Sequence, residues 1–317
     1  MRCSPRQTAC DLICAARPDH WFKNVFLLFG AAIALPMASI RVDPTFAMRA
    51  AIAFVCACLV ASFNYIVNEV LDAPYDRLHP TKQERPIACG RLQPLPAMIA
   101  AVVLLVVGLV IGLLALGSTT AVSLALLAVL GVLYNVPPVR LKERPLLDAL
   151  SESANNPARL LIGWYGVGAM AFPPSSVILA YWCIGAFLMT AKRYAELRFI
   201  GDRERAAAYR RSFAWYSEEK LLLLMIMYVG ATLYLVGVLT AKYHPELILS
   251  MPLLCIFVGW FFHLAREQDS VVKEPERIMR RPAFLAYSIL MVVVLVVLAA
   301  ADIPWVEALL GLQGRAW

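Results

Sequence analysis

Apolar runs long enough to cross a bilayer recur along the 317-residue sequence, and they constrain its fold more than any other feature. A membrane-spanning helix needs about 20 consecutive, mostly apolar residues. Hydrophobic residues make up 61% of the chain and charged residues only 16%, which excludes a large soluble enzyme. We therefore predict an all-α, polytopic membrane bundle of about nine transmembrane helices, at 22–40, 46–71, 94–115, 119–137, 146–169, 175–198, 220–241, 247–266 and 282–301.

Positive charge is distributed unevenly between the connections of these predicted spans. Alternate connections lie on opposite sides of the membrane, and one side collects 25 of the 29 Lys and Arg residues. Because cytoplasmic loops are the positive ones, we expect the N-terminus and the charged site to lie in the cytoplasm, at the cell (inner) membrane. The net charge of +7 is thus a topology signal, and it indicates membrane lipids rather than nucleic acid as surroundings.

The sequence predicts a single integral membrane domain over 1–317, since it contains no linker or low-complexity tract. Two cytoplasmic connections, near 72–93 and 192–219, are longer and more polar than a turn requires. Within the second, 201–219 is typical of an amphipathic helix, with apolar residues placed among Arg and Glu. Such a helix is either a lid over the cytoplasmic mouth or an interfacial connector.

A stripe of oxygen-bearing side chains follows the end of the second predicted span. Asn64, Asn68, Asp72 and Asp76 are each four residues apart, which places them on one helical face. Pro74 is expected to bend or end the helix, which would leave Asp76 on the following loop. Carboxylates at membrane depth are costly and usually mark a function. Together with amide oxygens they suit Mg²⁺, whereas the alternative is a capping cluster at a helix end.

Basic residues after this stripe could hold phosphate oxygens. Lys82 and Arg85 are the better candidates, beside Arg77 and His79. Taken singly, each is an ordinary cytoplasmic positive charge. Weaker substrate-binding candidates are Lys23, Asn24, Arg140 and Lys142.

A second charged cluster follows the sixth predicted span, on the same side of the membrane. It contains Lys192, Tyr194, Glu196 and Arg198. Lys192 and Glu196 are four residues apart, so a simple helical salt bridge is the alternative to a substrate site. The polar segment 150–159 could line a cavity or contact an acceptor.

The motif Asn68-x-x-x-Asp72-x-x-x-Asp76 resembles the first aspartate motif of the UbiA superfamily of intramembrane prenyltransferases. The resemblance covers nearly the whole chain and implies a helical bundle around a central cavity, in which Mg²⁺ bridges the aspartates and a diphosphate. The strings at 17–24, 79–88 and 192–197 resemble the polyprenyl-phosphate phosphoribosyltransferase branch. That branch implies phosphoribosyl diphosphate and a polyprenyl phosphate lipid as substrates. A homo-oligomer is compatible with the sequence.

The second cluster departs from the wider family, where a second Asp-x-x-x-Asp motif usually stands. Here the spacing is Lys192-x-x-x-Glu196, and a lysine suits the 5-phosphate of phosphoribosyl diphosphate. The resemblance implies a metal and catalytic site at Asp72, Asp76 and Asn68. It implies phosphate binding by Lys82, Arg85, Lys192 and Arg198, with Tyr194 and Glu196 positioning the ribose. Prenyl transfer to an aromatic acceptor is the alternative, and an ion-coupled lipid transporter a more distant one.

Overall fold

The computed structural model describes residues 5–77, 82–267, 270–273, 278 and 281–310. Within these residues the secondary structure is helical, without strands. The α-helices are α1 (Pro5–Ala16), α2 (Leu27–Met37), α3 (Pro44–Asp76), α4 (Pro94–Ile111), α5 (Ser118–Asn135), α6 (Leu147–Ser153), α7 (Asn155–Gly166), α8 (Ser175–Ile200), α9 (Arg203–Tyr209), α10 (Glu218–Lys242), α11 (Met251–Arg266), α12 (Pro282–Ala300) and α13 (Pro304–Leu309). Short 3-10 segments lie at Pro18–Phe26, Lys82–Glu84, Leu141–Glu143, Arg211–Ala214, Pro245–Ser250 and Val271–Lys273.

Eight helical segments of the described chain are long and apolar enough to cross a membrane. They correspond to eight of the nine predicted spans. The remaining one, 146–169, is instead two short helices, α6 and α7, which meet at Ala154. Polar residues surround this break, and Pro157 follows it. A proline has no backbone N–H to donate, so it interrupts the hydrogen bonds of a continuous helix. The eight segments are Thr8–Met37, Pro44–Asp76, Pro94–Leu116, Ser118–Asn135, Ser175–Ile200, Glu218–Lys242, Pro245–Arg266 and Pro282–Ala300.

Helix α3 is the longest of the described helices and carries the aspartate motif. Asp43 caps its beginning, because its carboxylate accepts a hydrogen bond from the backbone N–H of Phe46 at 2.7 Å. The helix continues through Pro74 and ends at Asp76. The expectation that Asp76 lies on a loop beyond the helix is therefore wrong. A proline this near the end interrupts only one hydrogen bond of the final turns.

The predicted break between the third and fourth spans is confirmed at Gly117. A π-helical turn at Gly112–Leu116 extends α4, and α5 begins at Ser118. Gly117 has a φ of 105°, a backbone conformation that favours glycine because residues with a Cβ are strained there.

The chain divides into two compact units, which we describe separately. Unit 1 comprises 1–31, 41–141 and 158–170. In its core α3 packs against α4 and α5. Asn64 of α3 donates a hydrogen bond to the carbonyl of Leu127 at 3.0 Å and lies against Gly131, where a Cβ would be 2.1 Å from its side chain. Asn64 thus joins two helices, whereas the other members of the stripe lie nearer the end of α3.

Unit 2 comprises 32–40, 142–157 and 171–317, with a core formed mainly by α8, α10 and α11. The predicted amphipathic helix over 201–219 is shorter than expected. Asp202 caps α9, which ends at Tyr209, and Arg210 is extended, with φ −147° and ψ 124°. The buried Ala206 and Phe213 face the core as the amphipathic pattern indicated.

Candidate functional site

The aspartate motif of unit 1 lies on the last turns of α3. Asn68 and Asp72 are half-buried and Asp76 is buried. Their four-residue spacing places all three on one face of the helix, as predicted. We call Asn68, Asp72, Asp76 and their two arginine partners, Arg85 and Arg140, the aspartate cluster.

Each aspartate of this cluster is paired with an arginine from a following connection. A terminal nitrogen of Arg140 contacts Asp72 Oδ1 at 2.9 Å, and one of Arg85 contacts Asp76 Oδ2 at 2.5 Å. The side chains of both pairs are at most 20% exposed, so water screens these charges less than it would at a surface. Arg140 also lies over the ring of Tyr75, 5.4 Å from its centroid.

The connection that carries Arg85 is held against α3 by a buried acid. The backbone N–H of Ile87 donates to Glu69 Oε1 at 3.1 Å, and Glu69 is 2% exposed. Arg77 donates to the carbonyl of Ala88 at 3.1 Å from the end of the same helix. Lys82, predicted to bind phosphate, lies half-buried in the same connection and already has polar interactions. His79 lies outside the described residues.

The weaker candidates at the start of the first span take part in internal contacts of unit 1. Asn24 is fully buried: it donates to Cys58 Sγ at 3.3 Å and accepts from Arg159 Nε at 2.9 Å. Lys23 is half-buried, with its ammonium 5.8 Å from the ring of Phe22. Asn24 therefore joins three segments of the unit.

In unit 2, one buried arginine binds three carboxylates. Arg193 is 1% exposed and contacts Asp148 at 3.2 Å, Glu196 at 3.2 Å and Glu152 at 2.5 Å. Lys192 contacts the other oxygen of Glu152 at 3.8 Å. We call these five residues the Arg193 cluster. Three carboxylates thus face two cations within the cluster, and each carboxylate contacts at least the guanidinium of Arg193.

Asp148 is the fully buried end of the Arg193 cluster. Besides Arg193, its carboxylate accepts hydrogen bonds from Ser212 Oγ at 3.0 Å, Arg210 at 3.5 Å and the hydroxyl of Tyr216 at 2.5 Å. Burial, reinforced by the charge of Asp148, raises the pKa of Tyr216 far above its ordinary value. The tyrosine hydroxyl consequently stays a hydrogen-bond donor at any ordinary pH.

The remaining candidates on α8 differ in exposure. Tyr194 is 3% exposed, packs against Phe262 and accepts a hydrogen bond from exposed Arg198 at 3.2 Å. Arg198 also contacts Glu218 at 3.8 Å. Tyr194 is therefore positioned to hold Arg198. Lys142, in the 3-10 segment Leu141–Glu143, is buried and has polar partners of its own.

The donor set of the aspartate cluster fits Mg²⁺ when the substrate supplies further oxygens. Mg²⁺ commonly takes one or two carboxylates together with substrate phosphates, and Asp72, Asp76 and Asn68 offer such hard oxygens. Among the described residues, no group of three or more His, Cys, Asp and Glu side chains is arranged to hold a metal ion by itself. The cluster thus suits a metal that arrives with a diphosphate better than a permanently bound ion.

The sequence predicted every member of the aspartate cluster as a site residue, but it did not single out three members of the Arg193 cluster. Arg193 and Asp148 were not candidates, and Glu152 entered only as part of the polar segment 150–159. Glu69, which holds the connection of Arg85, was not a candidate either. The four-residue spacing of Asp148 and Glu152, at the depth of a predicted span, was an available signal. Glu69 carried no such signal, because its partner is the backbone of a loop.

Fold and charge define the class: an all-helical, multi-pass membrane protein with paired carboxylates and arginines at the end of a long helix. The pattern of the UbiA prenyltransferase family matches residues 25–287. The chain belongs to the UbiA prenyltransferase family, and it is a transferase of that family.

Bacterial relatives place the chain in the phosphoribosyltransferase branch of the family. Decaprenyl-phosphate phosphoribosyltransferase of Mycolicibacterium smegmatis is 34% identical over 219 residues, which cover 68% of this chain and 66% of that protein. The protein of the same name from Corynebacterium glutamicum is 33% identical, over 67% of this chain and 62% of that protein. That from Mycobacterium tuberculosis is 33% identical, over 68% and 69%. The chain spans just under two thirds of the first two relatives' length.

Solved structures share the fold at low sequence identity. A UbiA homolog from Archaeoglobus fulgidus bound to GPP and Mg²⁺ has a TM-score of 0.66 and 16% identity, covering 92% of this chain and 100% of that chain. The same homolog bound to Cd²⁺ has a TM-score of 0.65 over the same shares. The predicted all-α membrane bundle is confirmed.

Proposed function

We propose that this protein transfers a phosphoribosyl group from phosphoribosyl diphosphate to a polyprenyl phosphate lipid, with Mg²⁺ as cofactor and release of diphosphate. The names of the related phosphoribosyltransferases support this reaction. Within the chain, the observation that best supports this reaction is the contact of Arg193 with all three acids of its cluster.

The charge of the Arg193 cluster argues against a second metal-bound diphosphate. A family member that binds an allylic diphosphate is expected to use a second acidic motif for metal. Here Lys192 and Arg193 supply two positive charges, and every nearby acid already contacts a cation. This combination of two cations and a carboxylate suits a sugar phosphate. The cations attract the phosphate, and the carboxylate accepts hydrogen bonds from the ribose hydroxyls.

The reaction breaks the bond between ribose C1 and the diphosphate oxygen and forms a bond between C1 and an oxygen of the lipid phosphate. Bound at Asp72, Asp76 and Asn68, Mg²⁺ would supply Lewis-acid stabilisation of the leaving diphosphate. Arg85 and Arg140 would hold diphosphate oxygens as charge develops there. The lipid phosphate is already an anion at neutral pH, so the step needs no general base.

Lys192, Glu196 and Arg198 are assigned to the phosphoribosyl end of the donor, and Tyr194 to holding Arg198. Lys82 is assigned to the diphosphate, with Lys23 and Lys142 as further candidates for phosphate contacts. We propose that the residues of each cluster face the cytoplasm, because the donor is water-soluble and most of the basic residues lie in the connections predicted to be cytoplasmic.

The test is an assay of purified protein with radiolabelled phosphoribosyl diphosphate, a polyprenyl phosphate and Mg²⁺. Wild type is expected to form labelled lipid, and Asp72→Ala and Lys192→Ala are expected to lose it. Asp302→Ala and Lys242→Ala remove equivalent charges at exposed positions and should retain activity. A folded preparation that labels no lipid, at several chain lengths, would overturn the proposal in favour of prenyl transfer to an aromatic acceptor.

A further inference from the structure

Asp148 joins two parts of unit 2 that are far apart in sequence. Its carboxylate is 0% exposed and receives Arg193 from α8 on one side. On the other, it receives Arg210, Ser212 and Tyr216 from the connection between α9 and α10. A buried carboxylate is tolerated when several donors satisfy it, as they do here.

Arg193 connects Asp148 to residues that are proposed to bind the donor. Arg193 uses Nε for Asp148 and its two terminal nitrogens for Glu152 and Glu196. Exposure increases along this chain of contacts, from 0% at Asp148 to 15% at Glu196. A guanidinium is planar, so fixing one edge also fixes the direction of the other nitrogens. The orientation of Arg193 against Asp148 thus determines where Glu196 is held.

The connection after α9 depends on the same carboxylate. Tyr216 donates to Asp148 and accepts from the backbone N–H of Leu146 at 2.8 Å, which ties the connection to the start of α6. Phe213 and Tyr216 are buried in the core of the unit. Loss of the hydrogen bonds to the Asp148 carboxylate would therefore loosen this connection and, at the same time, the position of Arg193.

We propose that Asp148 is a positioning residue for the donor while the segment 210–216 is docked. It orients Arg193, which holds Glu196 directly and Lys192 by way of Glu152. This inference rests on the proposed function. It differs from a purely structural role, which would change the amount of folded protein but not the KM of the folded fraction.

The kinetic test is Asp148→Asn, which retains the size of the side chain but removes its charge and presents an amide N–H₂ to other donors. We expect the KM for phosphoribosyl diphosphate to rise about tenfold or more, with the KM for the lipid within about twofold of wild type. Ser212→Ala removes one donor to Asp148, and Tyr216→Phe removes one donor together with the acceptor of the Leu146 N–H. Each should raise the KM for phosphoribosyl diphosphate by a smaller factor. These variants keep the test valid if Asp148→Asn does not fold.

Glu246→Gln is the matched control, because Glu246 is also a buried acid of unit 2, 3% exposed, but accepts from the backbone N–H of Ile303. It should change thermal stability without changing the donor KM. Folded Asp148→Asn, or folded Tyr216→Phe and Ser212→Ala, with an unchanged donor KM would overturn the proposal.

Limited trypsin digestion tests the docking itself, whatever the reaction. The segment 210–216 offers cleavage sites at Arg210 and Arg211, and α9 before it offers Arg203 and Arg205. We expect cleavage there to be several-fold faster in Asp148→Asn than in wild type or Glu246→Gln. Equal cleavage rates would overturn the inference even if wild type forms the labelled lipid. Faster cleavage of Asp148→Asn, together with a wild type that shows no phosphoribosyl transfer, would support docking by Asp148 but contradict the proposed function and the donor-positioning role.

Discussion

Asp72 and Arg140, separated by 68 residues in the chain, form an ion pair of 2.9 Å in unit 1. Asp76 and Arg85 form a second pair beside it on the same helix end. Each pair balances an aspartate that the family resemblance assigns to metal binding. Under the proposed function, a metal and a diphosphate that enter together would exchange these partners. Asp72 and Asp76 would hold the metal, and Arg140 and Arg85 would hold phosphate oxygens.

Arg140→Gln is therefore expected to separate metal binding from donor binding. The substitution removes a positive charge 2.9 Å from Asp72, so the affinity for Mg²⁺ in the absence of donor should rise several-fold. The KM for the donor should rise about tenfold, because a phosphate contact is lost. Isothermal titration of Mg²⁺ and steady-state kinetics measure the two effects.

The control for this experiment is Arg281→Gln. Arg281 also pairs with an acid, Glu267, at 2.6 Å, but outside both clusters. The variant should change neither the Mg²⁺ affinity nor the donor KM. Unchanged Mg²⁺ affinity in Arg140→Gln would contradict the exchange of partners.

Glu69 is expected to position Arg85 through the backbone of Ile87. Glu69→Ala removes the buried acceptor and should destabilise the protein by about 1–3 kcal/mol. It should also raise the donor KM, because Arg85 loses its support. Glu69→Gln retains an acceptor oxygen and should be much milder in both respects. Thermal unfolding and kinetics of the two variants test this, and an equal donor KM in Glu69→Ala and wild type would refute it.

Asn24 is predicted to act in packing. Its two hydrogen bonds join Cys58 and Arg159 within unit 1, so Asn24→Ala should lower stability by about 1–3 kcal/mol. The donor KM of the folded protein should remain within about twofold of wild type. A large rise in KM without loss of stability would instead return Asn24 to the substrate site.

We expect the folding stability to depend on pH through His244. Burial lowers its pKa below the ordinary value of 6.5, against the opposing effect of Glu246. As pH falls, His244 of the unfolded chain binds a proton at a higher pH than His244 of the folded chain. The contribution of neutral His244 to folding stability is therefore complete above pH 6.5 and is lost as pH falls below it. His244→Gln should flatten the fall in thermal midpoint between about pH 7.5 and 5.5. An identical pH profile in wild type and variant would contradict this.

The sequence predicted the helices and the face of the aspartate motif because both depend on local periodicity. Apolar runs located eight membrane-spanning segments, and the four-residue spacing placed Asn68, Asp72 and Asp76 together. Arg85 was an expected phosphate ligand, but its pairing with Asp76 was not foreseen. The pairing depends on how a loop returns to the helix, which periodicity does not encode.

Asp148 shows a second limit of the sequence. As an acid within a predicted continuous span, Asp148 had no evident partners in the sequence. In the structure the helix breaks at Ala154, and Ser212 and Tyr216, more than 60 residues later, donate hydrogen bonds to Asp148. Pro74 shows the opposite error, because a strong local rule placed Asp76 beyond a helix that continues to it.

Mass spectrometry of the lipid product distinguishes phosphoribosyl transfer from prenyl transfer. Purified wild-type protein would be incubated with Mg²⁺, a polyprenyl phosphate and phosphoribosyl diphosphate, and in parallel with a polyprenyl diphosphate and an aromatic acid. We expect a lipid heavier by one phosphoribosyl group in the first mixture, with diphosphate released, and no prenylated acid in the second. An unchanged lipid in the first mixture and a prenylated acid in the second would contradict it.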